Sequence, residues 1–194
     1  MKSGVRALGL AESFSGRDDA GGPVRSTIAG AVVRADCAID GLRYAACTVG
    51  GTDATDAVRS LVETCCRPDV RYVLLGAVAP AWYNLLDLSR IHDAAERPVL
   101  AVTFEASDGL EAGLRDAFSG DELDERLATY RSLPDRRAVS VNGEIVYVRC
   151  LGCDRDEAGE IVRGFTPAGG RPEPIRVAGI AARAADEYAA GDRE

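Results

Sequence analysis

The segment Arg71-Tyr72-Val73-Leu74-Leu75-Gly76-Ala77 decides the fold class of this chain. Its apolar residues follow one another without polar alternation, which is typical of a strand buried on both faces in a parallel part of a sheet. A second strand of this kind is predicted at Val99–Phe104. Leu85, Leu88 and Ile91 lie at helical spacing between the two strands. This strand–helix–strand order predicts an α/β architecture with two parallel strands at its centre.

The N-terminal part of the chain predicts three further strands, at Val5–Leu10, Thr27–Val33 and Leu42–Val49. Since only loops join them, we expect an antiparallel meander. The connection Ser15–Pro23 is rich in glycine and charge, and we expect it to be mobile. A helix is then predicted from Asp53, and it leads into the apolar strand at 71–77.

The complete order of elements is that of the ribonuclease H fold: three antiparallel strands, then helix, strand, helix, strand and helix. We therefore predict one domain over residues 1–194, a mixed sheet flanked by helices, with a C-terminal hairpin and helices from about residue 136. The dipeptide Asn142-Gly143 is the hairpin signal. Further helices are predicted near Leu110–Phe118, Asp121–Tyr130, Asp154–Phe165 and Ile175–Tyr188, and the end Gly191–Glu194 is expected to fray.

The charge of the chain is strongly acidic, with 31 Asp and Glu against 23 Lys and Arg and a net charge of −8. Lys2 is the only lysine. A lysine-poor, carboxylate-rich surface suits a salt-loaded cytoplasm, because electrostatics there are screened within about 3 Å at 1 M salt. We infer an extreme halophile, so the net charge does not argue against a nucleic-acid partner. The sequence has neither a signal peptide nor an apolar run of the roughly 20 residues that span a bilayer, and we expect a cytoplasmic protein.

Six cysteines raise the question of a metal or redox site. Cys150 and Cys153 have the spacing of metal ligands, but a structural zinc site needs a second cysteine pair or histidines. The only histidine, His92, is expected to pack on its helix. We interpret the cysteines as small buried side chains in a reducing cytoplasm, with a disulfide or redox pair as the alternative.

Four short blocks resemble the archaeal endonuclease dU family, which is related to endonuclease V. The resemblance implies a ribonuclease-H-like fold and metal-dependent cleavage, with Mg²⁺ or Mn²⁺, of a phosphodiester beside a deaminated base. The base is uracil or hypoxanthine, and DNA is favoured over RNA, as expected of a repair nuclease. The oligomeric state stays open, with a homodimer as one option. The blocks, spread along the chain, are Gly9-Leu10-Ala11-Glu12-Ser13-Phe14, Gly51-Thr52-Asp53-Ala54-Thr55-Asp56, Trp82-Tyr83-Asn84-Leu85-Leu86-Asp87 and Gly170-Arg171-Pro172-Glu173-Pro174-Ile175-Arg176.

This chain departs from the family where the metal ligands are expected. Two divalent ions about 3.5–4 Å apart need several carboxylate oxygens around them. The acidic pair after the first strand is here Ala11 and Glu12, and the Asp-Gly at the end of the fourth strand is Gly76-Ala77. The acid before the first helix is here Gly50. Neither a methyl group nor a hydrogen can coordinate a metal.

The remaining carboxylates give the predicted site. Glu12, Asp53 and Asp87 are the candidate catalytic residues, and the same three with Glu173 are the candidate metal ligands. Each has an alternative interpretation: an exposed strand-end glutamate at Glu12, helix capping by Asp53 and the neighbouring Asp56, and a cap or first-turn role for Asp87. Glu173 can instead pair with a nearby arginine.

Candidate contacts to nucleic acid follow from the last two blocks: Trp82, Tyr83, Asn84, Arg171 and Arg176. Aromatic rings can stack on a base that has left the duplex, and guanidinium groups match phosphate oxygens. The alternatives are that one ring closes the core and that Asn84 belongs to a helix start.

Three functional hypotheses remain. The first is a metal-dependent endonuclease acting at deaminated bases. The second is a catalytically weakened relative that binds nucleic acid or a protein without cutting. The third is a redox- or metal-responsive protein that uses Cys150 and Cys153. A pocket filled by core side chains beside Ala11 and Gly76 would favour the second.

Overall fold

A seven-stranded mixed sheet forms the centre of the protein in the computed structural model, which describes residues 1–16 and 23–191. Most of the connection predicted at Ser15–Pro23, and the end of the chain beyond residue 191, lie outside the described residues. The strands are β1 (Arg6–Ser13), β2 (Arg25–Arg34), β3 (Ile39–Thr48), β4 (Val70–Leu75), β5 (Val99–Thr103), β6 (Arg137–Val141) and β7 (Glu144–Leu151).

The strand order, β3-β2-β1-β4-β5-β7-β6, confirms the predicted topology. β1, β2 and β3 pair antiparallel, whereas β4 lies parallel to β1 and β5 lies parallel to β4. The hairpin β6–β7 extends the sheet further, with β7 antiparallel to β5. Asn142 and Gly143 both have positive φ in the turn of this hairpin, as the Asn-Gly signal predicts. The carboxyl ends of β1, β4 and β5 therefore share one edge of the sheet.

Helices cover both faces of the sheet. On one face Leu8 and Leu10 of β1 pack with side chains of α1 and α3, and on the other Ala7, Leu74 and Leu100 pack with α6 and α7. The helices are α1 (Ala54–Cys65), α2 (Pro80–Tyr83), α3 (Leu88–Ala95), α4 (Glu111–Ala117), α5 (Gly120–Ser132), α6 (Arg155–Gly164) and α7 (Glu173–Gly191). No helix among the described residues combines the length and the apolar character that crossing a membrane requires.

The start of α7 lies directly on β1. A side chain at Gly9 would collide with the backbone of Pro174, so the absence of a Cβ permits the close approach. This contact brings Ile175, which is almost completely buried, against Gly76 at the end of β4. The seating of α7 therefore decides how much space remains at the carboxyl edge of the parallel strands.

The helix predicted around Leu85–Ile91 is shorter than expected. It begins only at Leu88, because the preceding segment forms the irregular turn α2. Ala81, Trp82 and Tyr83 in this turn all have positive φ, which an α-helix of L-residues does not tolerate. The spacing of the leucines did not reveal this turn, since Leu85 and Leu86 are buried in either conformation.

Candidate functional site

A cleft of about 370 Å³ opens where the parallel strands end. Gly76 and Ala77, which follow β4, line it together with Thr103 and Phe104 at the end of β5. A second, smaller cleft contains Glu12 and Ala11 from β1 and shares Gly76 and Ala77 with the first. The two clefts are therefore contiguous along the carboxyl edge of β1, β4 and β5.

Glu12 is the candidate acid that lies in this region. It is half-buried near the end of β1, and the hydroxyl of the buried Ser26 donates a hydrogen bond to its Oε1. Burial, together with the negative charges of Asp53 and Glu12, raises the pKa of Cys47 to about 12. Glu12 and Asp53 thus lie on the same side of the sheet, near one thiol.

Asp53 is engaged within the protein rather than directed at a cleft. Its carboxylate accepts hydrogen bonds from the backbone N–H and the hydroxyl of Thr48, both at 2.9 Å, and from Asn84 Nδ2 at 2.8 Å. Arg25 lies 3.4 Å from its Oδ2. Burial raises the pKa of Asp53, but these hydrogen bonds outweigh it and hold that pKa below its ordinary value. Asp53 occupies the N-cap position of α1, but its side chain makes no capping hydrogen bond, so that part of the capping interpretation is wrong for Asp53; Asp56 does lie in the first turn of α1, as predicted.

The side chain of Asn84, rather than that of Asp53, caps the start of α1. Its Oδ1 accepts the backbone N–H of Ala54 at 2.9 Å, and its Nδ2 donates to Asp53 and to the carbonyl of Thr48. The side chain is completely buried. The prediction that Asn84 contacts nucleic acid is corrected here: a polar side chain buried in this way serves the helix start, and solvent does not reach it.

Asp87 and Glu173 also have partners inside the protein. Asp87 Oδ1 caps α3 by accepting the backbone N–H groups of Ser89 and Arg90 at 3.0 and 3.1 Å, as the alternative interpretation predicted. Glu173 forms two hydrogen bonds with Arg176, of 2.6 and 2.7 Å, which lower the pKa of Glu173 and raise the pKa of Arg176. Glu173 and Arg176, both predicted site residues at the start of α7, therefore use their charged groups to bind each other.

The described residues do not fit a two-ion metal centre. No group of three or more His, Cys, Asp or Glu residues in this part of the chain is placed to hold a metal. Of the predicted ligands, Glu12 alone faces the edge clefts. Two of the departures from the family pattern are also filled in space: Cβ atoms at Gly76 and Gly50 would lie 2.9 Å from Ile175 Cγ2 and 2.7 Å from Trp82 Cε3.

The larger cleft is lined by three arginines, each of which lies over an aromatic ring. The guanidinium carbons of Arg171 and Arg136 lie 3.9 and 4.0 Å from the ring centres of Phe104 and Tyr147, and that of Arg149 lies 5.6 Å from the ring centre of Tyr130. Glu105 is the one acidic residue of the cleft wall among the described residues. The cleft is thus locally basic in an acidic protein.

The three arginines differ in how many of their N–H groups already donate hydrogen bonds within the protein. Arg136 donates to the carbonyls of Ser107 and Glu105, and Arg149 donates to the carbonyl of Pro134. Arg171 is exposed and its guanidinium lies over the ring of Phe104, but it makes no hydrogen bond or ion pair within the described part of the chain. Arg171 was a predicted phosphate contact and lies in the cleft. Sequence reasoning missed Arg136 and Arg149, because no local pattern distinguishes them from other surface arginines.

Trp82 and Tyr83 lie in the irregular turn next to the clefts. The side chain of Trp82 is 57% exposed, whereas Tyr83 is half-buried with its hydroxyl against Gly113 of α4. The alternative interpretation, in which one ring closes the core and the other lies half exposed, describes the positions of Tyr83 and Trp82.

The predicted cysteine pair is partly buried and forms no disulfide. Cys150 and Cys153 are both free thiols, and Cys150 Sγ lies 3.7 Å from the carbonyl oxygen of Cys153. Burial, together with the neighbouring Cys150, raises the pKa of Cys153 to about 12. A thiol with a raised pKa is protonated at neutral pH and is therefore a weaker nucleophile than an ordinary cysteine.

Known proteins are similar to this chain over most of its length. A family model described as Endonuclease dU matches residues 3–186. UPF0215 proteins of Pyrobaculum aerophilum and Pyrobaculum calidifontis are 31% and 32% identical over 183 residues. Each alignment covers 93% of this chain, together with 94% and 97% of the respective relative.

Solved structures show the same fold. A protein of unknown function from Archaeoglobus fulgidus matches with a TM-score of 0.78 and 23% identity over 93% of this chain and 97% of that one. Endonuclease V of Ciona intestinalis, in complex with a DNA containing an inosine, matches with a TM-score of 0.61 and 13% identity over 94% and 86%. Human ENDOV matches with a TM-score of 0.60 and 13% identity over 95% and 85%. The sheet described above is accordingly of the endonuclease V type, a ribonuclease-H-like fold.

Proposed function

Because this chain belongs to the endonuclease dU family, we propose that it processes nucleic acid at deaminated bases in DNA, with uracil and hypoxanthine as the candidate bases. The observation that carries the proposal is the arginine-lined cleft, which adjoins Glu12 at the carboxyl edge of the parallel strands. Ligands of open α/β sheets bind at this edge, and the cleft of about 370 Å³ opens there.

The cleft has the size and chemistry of a nucleotide site. Its volume of about 370 Å³ is in the range of small-molecule pockets. Arg171 offers free donors to a phosphate, whereas Ala77, Val78 and Leu110 provide an apolar wall on which a base can lie. Tyr130 adds a hydroxyl at the rim, although that oxygen already accepts the N–H of Leu110 at 3.2 Å. Phosphate recognition and base recognition are thus adjacent.

The acidic surface does not oppose this proposal. At the high salt of the cytoplasm that we propose for this protein, distant charges are screened, and only groups in direct contact with the ligand affect binding strongly. The guanidinium groups in the cleft are such groups. The net charge of −8 then serves solubility and hydration, while the cleft provides the local attraction for phosphate.

We propose that the protein cleaves DNA slowly. We propose Glu12 as the principal carboxylate and Mg²⁺ or Mn²⁺ as the cofactor, bound weakly because water would have to supply most of the coordination. Asp53 is the second carboxylate on the same side of the sheet, but its oxygens are occupied by Thr48 and Asn84. Turnover should therefore be slow compared with a nuclease that has a complete set of acids.

A second candidate function, binding without cutting, is favoured by a specific observation. Ile175 and Trp82 occupy the space beside Gly76 and Gly50, where the family pattern places acidic side chains. A chain that had exchanged catalysis for recognition would retain the basic cleft and lose those acids. The two candidates share the binding step and differ only in hydrolysis.

A paired assay on defined oligonucleotides tests both candidates. Binding is measured by fluorescence anisotropy, and nicking by denaturing gel, on otherwise identical DNA duplexes that carry uracil, hypoxanthine or no damage, with Mn²⁺ and molar KCl. Slow nicking that Glu12→Gln abolishes supports the endonuclease, and selective binding without nicking supports the recognition protein. Equal affinity for damaged and undamaged DNA would contradict both. An inosine-containing RNA of the same sequence is measured alongside, and tighter binding to it than to any of the duplexes would correct the substrate class.

A further inference from the structure

The turn that carries Trp82 is held in an unusual conformation. Ala81, Trp82 and Tyr83 have φ angles of 47°, 55° and 61°, three consecutive left-handed residues without a glycine. Such a run persists only where the surrounding structure holds it in place. It presents the indole of Trp82 outward, at the edge where the strands end.

Contacts across the fold supply that restraint. The backbone N–H of Gly50 donates to the carbonyl of Ala81 at 2.7 Å, and the N–H of Asn84 donates to the carbonyl of Pro80 at 3.1 Å. Arg126 donates in turn to the carbonyl of Gly50 at 2.7 Å. The six-membered part of the Trp82 ring lies over Gly50, in the space that a side chain would fill there.

Aromatic contacts support the inner side of the indole. The ring of Phe118 lies 5.3 Å from that of Trp82 and 6.1 Å from that of Tyr83. The guanidinium of Arg126 lies 3.9 Å from the centre of the Phe118 ring. Trp82 nevertheless stays 57% exposed, so this is a rigid ring with an inner support and an open outer side.

Arg126 also makes the surroundings of the Trp82 indole locally positive. Its side chain is 5% exposed, and its Nε has no hydrogen-bond partner. Among the described residues no carboxylate lies within ion-pair distance of this guanidinium, which bonds to the carbonyls of Glu122, Gly50 and Gly51. A buried cation without a counter-charge favours an anionic chain passing close to it.

Trp82 lies within three residues of both clefts along the chain. Ala79, three residues before Trp82, lines the arginine-lined cleft, and Pro80 lines the cleft that contains Glu12. A strand whose phosphates contact Arg171 would extend past this turn at the same edge of the sheet. A nucleobase is the flat partner that such a strand would bring to an exposed indole.

We propose that Trp82 is a stacking platform for an unpaired nucleobase of the DNA strand bound in the arginine-lined cleft. Tyr83, Phe118 and Arg126 are positioning residues, which hold the indole in place. This inference rests on the proposed function and deepens it, because it assigns a second contact to the same strand. Stacking of this kind is tolerant of sequence, so the platform would provide affinity while the cleft provides selectivity.

The chain contains a single tryptophan, which makes the test direct. A 12-nucleotide single-stranded DNA with one central uracil is titrated into the full-length protein, and two signals are recorded: the anisotropy of a fluorescent label on the DNA and the emission of Trp82. We expect the emission to be quenched in parallel with binding. Trp82→Ala should raise Kd about tenfold, the order expected for the loss of one base–aromatic stack, whereas Trp82→Phe should retain most of the affinity.

A matched control is available at Tyr44, another aromatic side chain that is 51% exposed but pairs with Ala29 on the face of the sheet that α7 covers. Tyr44→Ala should leave Kd unchanged. If the label reports binding but Trp82 emission stays constant and Trp82→Ala binds like the wild type, the platform is wrong while the proposed function stands. If the protein binds the uracil duplex of the paired assay but not the single strand, the platform is wrong while the proposed function stands. If it binds neither, both are contradicted.

Discussion

Ile175 occupies the space that an acidic side chain at position 76 would need. Its Cγ2 atom lies 2.9 Å from the place of a Cβ at Gly76, and Ile175 itself is almost completely buried at the start of α7. The absence of a carboxylate at position 76 thus goes together with the close packing of α7 at this place. Restoring the acid alone must displace a core side chain.

The first prediction concerns that restoration. Ala11→Asp with Gly76→Asp should lower the free energy of unfolding by about 2–3 kcal/mol, since the new group overpacks against Ile175 and buries a polar atom. Adding Ile175→Leu, which removes Cγ2, should recover stability and raise Mn²⁺-dependent nicking above the wild type. Ile175→Val retains Cγ2 and serves as the control. Equal nicking and stability for the leucine and valine triple variants would show that Ile175 is not the obstacle.

The second prediction concerns Arg171. Arg171→Ala should weaken DNA binding for damaged and undamaged duplexes alike, and should reduce the slope of log Kd against log salt by about one, because one phosphate contact is lost. Anisotropy titrations at several salt concentrations measure both quantities. Arg183→Ala removes the same charge from an exposed position on α7 and should leave the slope unchanged. The same loss in both variants would mean that net charge, rather than the cleft, governs binding.

The third prediction separates a structural from a recognition role at Asn84. Asn84→Ala should lower the free energy of unfolding by roughly 2–4 kcal/mol, because the N–H of Ala54 and an oxygen of Asp53 lose their partner in a buried setting. Urea unfolding measures the loss, and Ser89→Ala, an exposed change in the next helix, is the control. The folded variant should bind DNA with wild-type affinity. A large rise in Kd at wild-type stability would restore Asn84 to the binding surface.

The fourth prediction is a pH dependence that arises from Asp53. Its pKa is lowered on folding from an ordinary value of 3.8, so its contribution to stability is present above that value and is lost as pH falls through the folded pKa. Asp53→Asn should therefore destabilise the protein at pH 7. The difference from wild type should shrink as the pH falls from 3.8 through the lower pKa of the folded state, below which the wild-type carboxyl is also neutral.

Urea unfolding at pH 7 and at pH 3, in the same salt, measures this effect. Asp93→Asn is the matched control, because the side chain of Asp93 is 84% exposed. It should change stability little at either pH. A difference between wild type and Asp53→Asn that is equally large at both pH values would contradict the proposed electrostatic origin.

The strands and the parallel pair could be predicted because their signals are local. The apolar run at Arg71–Ala77 requires burial on both faces, and the Asn142-Gly143 turn requires positive φ, whatever else the chain does. The turn at Ala81–Tyr83 could not be predicted in this way. Its left-handed residues depend on hydrogen bonds from Gly50 and on the ring of Phe118, both more than 30 residues away along the chain.

The sequence by itself determined the fold class, the antiparallel meander with its two parallel strands, the family and the absence of acids at Ala11, Gly50 and Gly76. These follow from periodicity and residue identity, which need no knowledge of neighbours in space. Only the tertiary structure decided which polar groups are free. Asp53, Asn84 and Glu173 are engaged by partners that the sequence does not identify, whereas Arg171 keeps its donors and joins two other arginines in one cleft. The physical reason is that a carboxylate or guanidinium has several partners of comparable energy along the chain, and the packing of the sheet and helices determines which one lies within hydrogen-bond distance.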